Sequence, residues 1–304
     1  MVQLLLIGKD VVNVASVPQR SPFRYPGGKT WLVPYARQWL ASQRVRPKEL
    51  LEPFAGGAIV GLTAVFENFV DTLTMVELDD QVAAVWRTVL SDDCEWLVNR
   101  ITGFEPSLES VQEELARQVA SLREKAFQTI VRNRVNRGGI LAPGASLLRY
   151  GENGKGVRSR WYPETLKRRI LNIHKLRHRI RFIEGDGMDV LRQYAARPDV
   201  VYFIDPPYTA GGKRAGTRLY THNDLDHVAL FRIAQSLVGD FLMTYDDAPE
   251  IRQLAQAHAF QVAAVAMTNT HHARMFELLI GRELTWTRSG ALVLKERRQR
   301  YPLC

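Results

Sequence analysis

Four consecutive residues carry the clearest chemical signal in the chain: Asp205, Pro206, Pro207 and Tyr208. They follow an apolar run, residues 200–204, that reads as a buried strand. A carboxylate at the carboxyl end of such a strand sits where open α/β sheets hold their ligands. Neither proline has an N–H to donate and each fixes φ, so the turn is stiff and extended. It presents a carboxylate, the bare carbonyl of Pro206 and an aromatic face together. That set suits a flat substrate bearing an amino group, such as a nucleobase. The oxygens accept the amine's hydrogens while the ring stacks on the base. The competing explanation is a strand that merely ends in a proline turn, and the rest of the chain weighs against it.

Two glycine turns let a ligand approach backbone closely. Glu52-Pro53-Phe54-Ala55-Gly56-Gly57 lies between a short strand at residues 50–51 and a helical stripe of Ile59, Leu62, Val65 and Phe66. It lacks the Lys-Ser/Thr of a phosphate loop and the spacing of a dinucleotide fingerprint. A ligand without phosphate, such as S-adenosylmethionine, suits it better. The second turn is Tyr25-Pro26-Gly27-Gly28-Lys29, with an aromatic before it and a cation after it. Tyr25 is placed to contact the amino-acid end of such a ligand, and Lys29 to pair with its carboxylate. Glu77 ends the strand at 73–76, 20 residues after Gly57 and just before Leu78. A carboxylate there bonds ribose hydroxyls in sheets of this type. Asp79 and Asp80 compete for that role, but they suit a helix N-cap better. Asp186 and Gly187 follow another strand and open a helix. Acceptor for an adenine amine and N-cap are both open for Asp186.

The elements that must position these residues alternate as strand, glycine loop, helix, strand, acid and helix, the first half of a nucleotide-type α/β sheet. Helices are expected over residues 30–42, 81–101, 163–176, 190–195, 225–237 and 249–258. A long helical pattern runs over 108–130. Further strands are expected at 180–184, 241–244, 260–267 and 277–280, the last two as a hairpin around His271 and His272. Residues 1–20 read as an extension holding one short strand. The sheet is interrupted at about 95–180 and resumes afterwards. One catalytic domain is therefore expected from 1–94 and 181–304, with 95–180 inserted.

The chain has 304 residues and a net charge of +9. The charge is concentrated: residues 117–181 hold 17 Lys/Arg against three acids, a balance of +14, and the remainder is −5. A basic module on a mildly acidic body suits a polyanion, with a solvated face as the alternative. Arg132, Arg134, Asn136, Arg137, Lys155, Arg158 and Arg160 are the candidate contacts, because arginines and glycine turns interleave there. No apolar run approaches the length of a bilayer span. Residues 4–7 are too short for a signal-peptide core. Cys94 and Cys304 match no metal or redox spacing, and His227, His271 and His272 lack partners at ligand spacing. No metal and no membrane partner are expected, and a reduced, cytoplasmic setting is.

Taken in order, the motifs resemble the Dam-type DNA N6-adenine methyltransferases. The matching stretches are SPFRYPGGK (21–29), LLEPFAGGAIV (50–60), MVELDDQVAAVW (75–86), NRVNRGG (133–139), FIEGDGMDVL (182–191), DPPY (205–208) and ELLI (277–280). The resemblance implies an α/β fold, a Rossmann-like S-adenosylmethionine-dependent methyltransferase sheet with a mainly helical, basic target-recognition insertion. It puts Tyr25, Lys29, Glu77 and Asp205 on cofactor-binding positions, residues 52–57 in the cofactor loop, and Asp205–Tyr208 around the target amine. It implies double-stranded DNA as partner, a flipped-out adenine as acceptor, and a bacterial or phage-encoded protein at the nucleoid. A monomer suffices to treat one base at a time, and a cognate restriction endonuclease is a partner the resemblance allows. The chain departs from the pattern in three places. Residues 1–20 lie outside the match, Glu77 replaces the more usual Asp, and the insertion is unusually rich in arginine and glycine. The recognised sequence does not carry over. Alternatives are a cytosine-N4 or RNA adenine methyltransferase and a non-catalytic DNA-binding protein on the same scaffold. The last predicts damaged motifs, yet Gly56, Gly57, Glu77, Asp205 and Tyr208 are all intact.

Overall fold

The computed structural model describes residues 5–7, 16–24, 28–142, 144–151, 154–207, 225–268 and 274–288. Tyr25, Pro26, Gly27, Tyr208, His271, His272 and Cys304 lie outside the described residues.

Among the described residues eight strands form one sheet: β1 (Leu5–Ile7), β2 (Glu49–Glu52), β3 (Thr72–Glu77), β4 (Ile180–Glu184), β5 (Val200–Ile204), β6 (Phe241–Asp246), β7 (Gln261–Thr268) and β8 (Arg274–Gly281). Their order is β1-β7-β8-β6-β5-β2-β3-β4. The strands from β6 to β4 run parallel. β8 is antiparallel to both β6 and β7. The chain winds outward from β2 to β4, then crosses back to lay β5 on the other side of β2. The reversal places the topological switch point between β2 and β5, where such sheets open a crevice at their carboxyl ends.

The apolar content of β5 follows from this central place, with every residue buried. Side chains alternate between two cores. Val201 and Phe203 join Leu50, Leu73 and Met75 on one face. Val200, Tyr202 and Ile204 join Leu51 and Val76 on the other. The first face is covered by α1 (Val33–Ala41), α2 (Ile59–Phe66), α3 (Asp80–Leu90), α4 (Cys94–Thr102), α5 (Leu108–Ala116), α6 (Leu122–Val135) and α7 (Pro163–Lys175). The second is covered by α8 (Gly187–Tyr194), α9 (His227–Ser236) and α10 (Pro249–Ala257). No helix among the described residues is long and apolar enough to cross a membrane.

Two expected helices are each broken in two. The 81–101 pattern divides into α3 and α4, with Ser91 as C-cap of the first. The 108–130 pattern divides into α5 and α6. Ser121 caps α6 by accepting from the Glu124 N–H, and the Glu124 carboxylate accepts from the Ser121 N–H at 3.1 Å. This reciprocal box starts a new helix whatever the apolar period says.

Candidate active site

Asp205 immediately follows β5, and its Oδ1 accepts a hydrogen bond from Thr244 Oγ1 on β6 at 2.7 Å. The same oxygen lies 3.1 Å from Lys29 Nζ. Lys29 opens a short 3-10 turn after the Pro-Gly-Gly segment and is 6% exposed. Its ammonium also meets Glu277 Oε1 at 2.6 Å. Glu277 reaches this edge because β8 is antiparallel, which sets it opposite Asp246 at the carboxyl end of β6. Pro206 is buried and Pro207 half-buried. Lys29, offered by the sequence to a cofactor carboxylate, is thus already engaged by two carboxylates of the chain.

The glycine loop after β2 is tied down from three sides. Ala55 N–H donates to the Val76 carbonyl at 2.9 Å, and Trp86 Nε1 donates to the Gly56 carbonyl at 2.9 Å. Gly56, at φ +45°, donates its N–H to Glu77 Oε2 at 2.8 Å. Glu77 Oε1 accepts from the N–H groups of Leu78 and Asp79, at 2.9 and 3.0 Å. Burial pushes the Glu77 carboxyl up, while the Asp79 and Gly56 N–H groups pull it back. A carboxylate accepts about four hydrogen bonds, so three backbone donors leave capacity for a ligand hydroxyl. Leu78 beside it exposes an apolar side chain, 46% accessible. Phe54 is half-buried and packs into the second core.

Glu52 is 3% exposed, and its Oε2 accepts from the Gly61 N–H at 3.0 Å. Burial holds its carboxyl well above the carboxylate range, opposed by that N–H and reinforced by the charge of Asp205. The loop at Asp186-Gly187 is pressed onto the first one. A Cβ at Gly187 would lie 2.0 Å from the Pro53 carbonyl oxygen. Asp186 Oδ1 accepts from the Met188 N–H at 2.7 Å, so Asp186 does cap α8. Asp79 likewise caps α3, accepting from the Gln81 and Val82 N–H groups. The carboxyl edge therefore offers carboxylates, a glycine turn and an exposed apolar side chain. These acceptors suit a ligand with hydroxyls and amines, and the residues present fit S-adenosylmethionine.

The model of the D12 class N6 adenine-specific DNA methyltransferases matches residues 25–269. The chain belongs to this family. It is a methyltransferase that uses S-adenosylmethionine as its cofactor. No curated protein sequence matches significantly. Among solved structures, similarity extends to a protein provisionally assigned as an RNA methyltransferase from Pyrococcus horikoshii, at 10% identity and TM-score 0.38, over 92% of this chain and 91% of that one. It extends also to the rRNA methyltransferase aviRa from Streptomyces viridochromogenes, at 14% identity and TM-score 0.37, over 90% and 94% of the two chains.

In this methyltransferase the basic region divides its arginines between interior and surface. Arg134 is 4% exposed, and its guanidinium donates to the Pro22 carbonyl. Burial, then Arg169 and Arg24, lower its pKa to about 9. Asn136 is also buried, donating to the Ile140 carbonyl at 2.7 Å. Arg132 is half-buried and donates to Gln81. Burial takes Arg134 and Asn136 out of reach of a macromolecule, whereas half-buried Arg132 stays partly accessible beside Gln81. Arg137, Lys155 and Arg158 are exposed, and Arg160 is half-buried. Arg149 is exposed too, beside Tyr150 at 86%. The turn bearing Arg137 is anchored by Leu148 N–H to the Val135 carbonyl and Arg137 N–H to the Ser146 carbonyl, both at 2.8 Å.

Four site-forming residues carried no role in the sequence reading: Thr244, Glu277, Trp86 and Asn133. Asn133 is fully buried and pins the Arg24 main chain from both sides, Oδ1 to its N–H at 2.8 Å and Nδ2 to its carbonyl at 2.7 Å. Nδ2 also reaches the Gly139 carbonyl. The NRVNRGG stretch thus braces the segment leading to Lys29. The acid at the head of the apolar ELLI run was the available signal for Glu277.

Proposed function

We propose that this methyltransferase transfers a methyl group to N6 of an adenine in double-stranded DNA, after the base has swung out of the stack. The observation that carries the proposal is the pinned Asp205 carboxylate at the switch point, next to the Glu77 glycine loop. Bound S-adenosylmethionine would supply an electrophilic sulfonium methyl and leave as the neutral thioether, with the displaced amine proton passing to solvent. Glu77 would accept from its ribose hydroxyls, Leu78 would give its adenine an apolar neighbour, and the second oxygen of Asp186 would take the adenine amine. The resemblance assigns Tyr25, Pro26, Gly27 and Gly28 to cofactor binding as well. Asp205 and the Pro206 carbonyl accept from the target amine and localise electron density on its nitrogen. Pro207 stiffens the turn, and Tyr208 stacks on the flipped ring. Positioning and electrostatics supply most of the rate.

The region from 95 to 180 serves as the target-recognition part. Arg137, Arg149, Lys155 and Arg158 face phosphates, while Arg134 and Asn136 hold that surface in register with the catalytic edge. Labelled methyl transfer to equal amounts of duplex DNA and RNA in one reaction tests this. Label in DNA is expected. Label in RNA alone would contradict it.

A further inference from the structure

Lys29 lies between two carboxylates on different strands, and the two contacts are unequal. Its Nζ is 2.6 Å from Glu277 Oε1 and 3.1 Å from Asp205 Oδ1. Lys29 and Glu277 are nearly inaccessible, at 6% and 3%, so solvent screens neither contact effectively. Thr244 Oγ1 holds the same Asp205 oxygen from the other side. Two donors on one oxygen fix the plane of that carboxylate.

An ammonium paired with Asp205 alone would move onto it and draw away the electron density that an amine needs from its acceptor. The shorter contact to Glu277 restrains the ammonium. We propose that Glu277 is a positioning residue for methyl transfer: it holds Lys29 so that the cation orients Asp205 without quenching it. The inference rests on the proposed role of Asp205 toward the acceptor amine. Charge is central to it, because a side chain of the same shape without charge would hold the ammonium less strongly and let it shift toward Asp205.

Glu277→Gln keeps the volume and an oxygen acceptor but removes the charge. Glu277→Asp keeps the charge on a shorter arm. Each is compared with wild type for kcat on DNA, Kd for S-adenosylmethionine by calorimetry, and Tm. Glu277→Gln is expected to lower kcat about tenfold or more with Kd within about threefold of wild type. Glu277→Asp is expected to retain more activity than Glu277→Gln. A purely structural Glu277 gives the reverse order, since Gln fits and Asp leaves a gap. That order, or wild-type kcat in Glu277→Gln, would overturn the proposal. Thr244→Val, matched in shape, removes the other donor to Asp205 and is expected to lower kcat with Kd unchanged. Unaltered kcat there would overturn the pinned carboxylate. A wild type active on DNA beside an unaffected Glu277→Gln rejects this inference alone. A wild type that transfers to no acceptor overturns both it and the proposed function.

Discussion

At the residue scale, Asp205→Ala should remove turnover, by about a hundredfold or more, while sparing the fold. Lys29 keeps its shorter contact to Glu277 in that variant, so no buried cation is stranded, the event that costs about 3–5 kcal/mol. Circular dichroism and a turnover assay check the two halves. Glu52 gives a pH prediction. Its buried carboxyl is raised, so the folded state holds the proton more tightly than the unfolded chain. The resulting stability is present below the unfolded value and lost as pH rises through the folded one. Glu52→Gln keeps the acceptor for Gly61 and does not titrate. Its stability advantage over wild type should grow as pH rises above the ordinary carboxylate range and vanish below that range. A Tm difference independent of pH would contradict this. Asp205 and Glu77 were legible in the sequence because each ends an apolar strand. The Lys29–Glu277 pair was not, since nothing local connects a 3-10 turn near one end of the chain to the last strand in sequence, which inserts between β7 and β6.

At the element scale, strand–loop–helix alternation was readable because central parallel strands must be apolar and their loops must supply glycine and acids. The breaks in the helical patterns were missed because apolar period continues across Ser121 while the cap does not. The Ser-x-x-Glu signal was present at 121–124. Ser121→Ala should cost about 1 kcal/mol in denaturant unfolding. Gly187 tests how the two ligand loops fit. As the first residue of α8, alanine would gain less than the roughly 1 kcal/mol of helix propensity that an interior position gives. The clash with the Pro53 carbonyl outweighs this, because backbone must move. Gly187→Ala should lose about 1–3 kcal/mol and weaken S-adenosylmethionine binding together. Unchanged cofactor affinity would separate the loops.

At the scale of the whole molecule, the +14 region is the feature composition located without describing. Sequence could not say which cations point outward, because that depends on packing against α3 and the segment before Lys29. Arg137→Ala and Lys155→Ala should weaken DNA binding alike on any sequence. Each should reduce the slope of log K against log salt by about 1. Arg134→Ala should instead lower Tm, because it leaves the buried Pro22 carbonyl without its donor. We propose that this edge transfers a methyl group to the amine of an adenine in DNA, through Asp205. Nucleoside mass spectrometry of unmethylated duplex DNA, after incubation with S-adenosylmethionine and either wild type or Asp205→Ala, tests it most directly. N6-methyladenine from wild type alone is the predicted result. N4-methylcytosine, no methylated base from a folded, cofactor-binding protein, or equal product from the variant would contradict it.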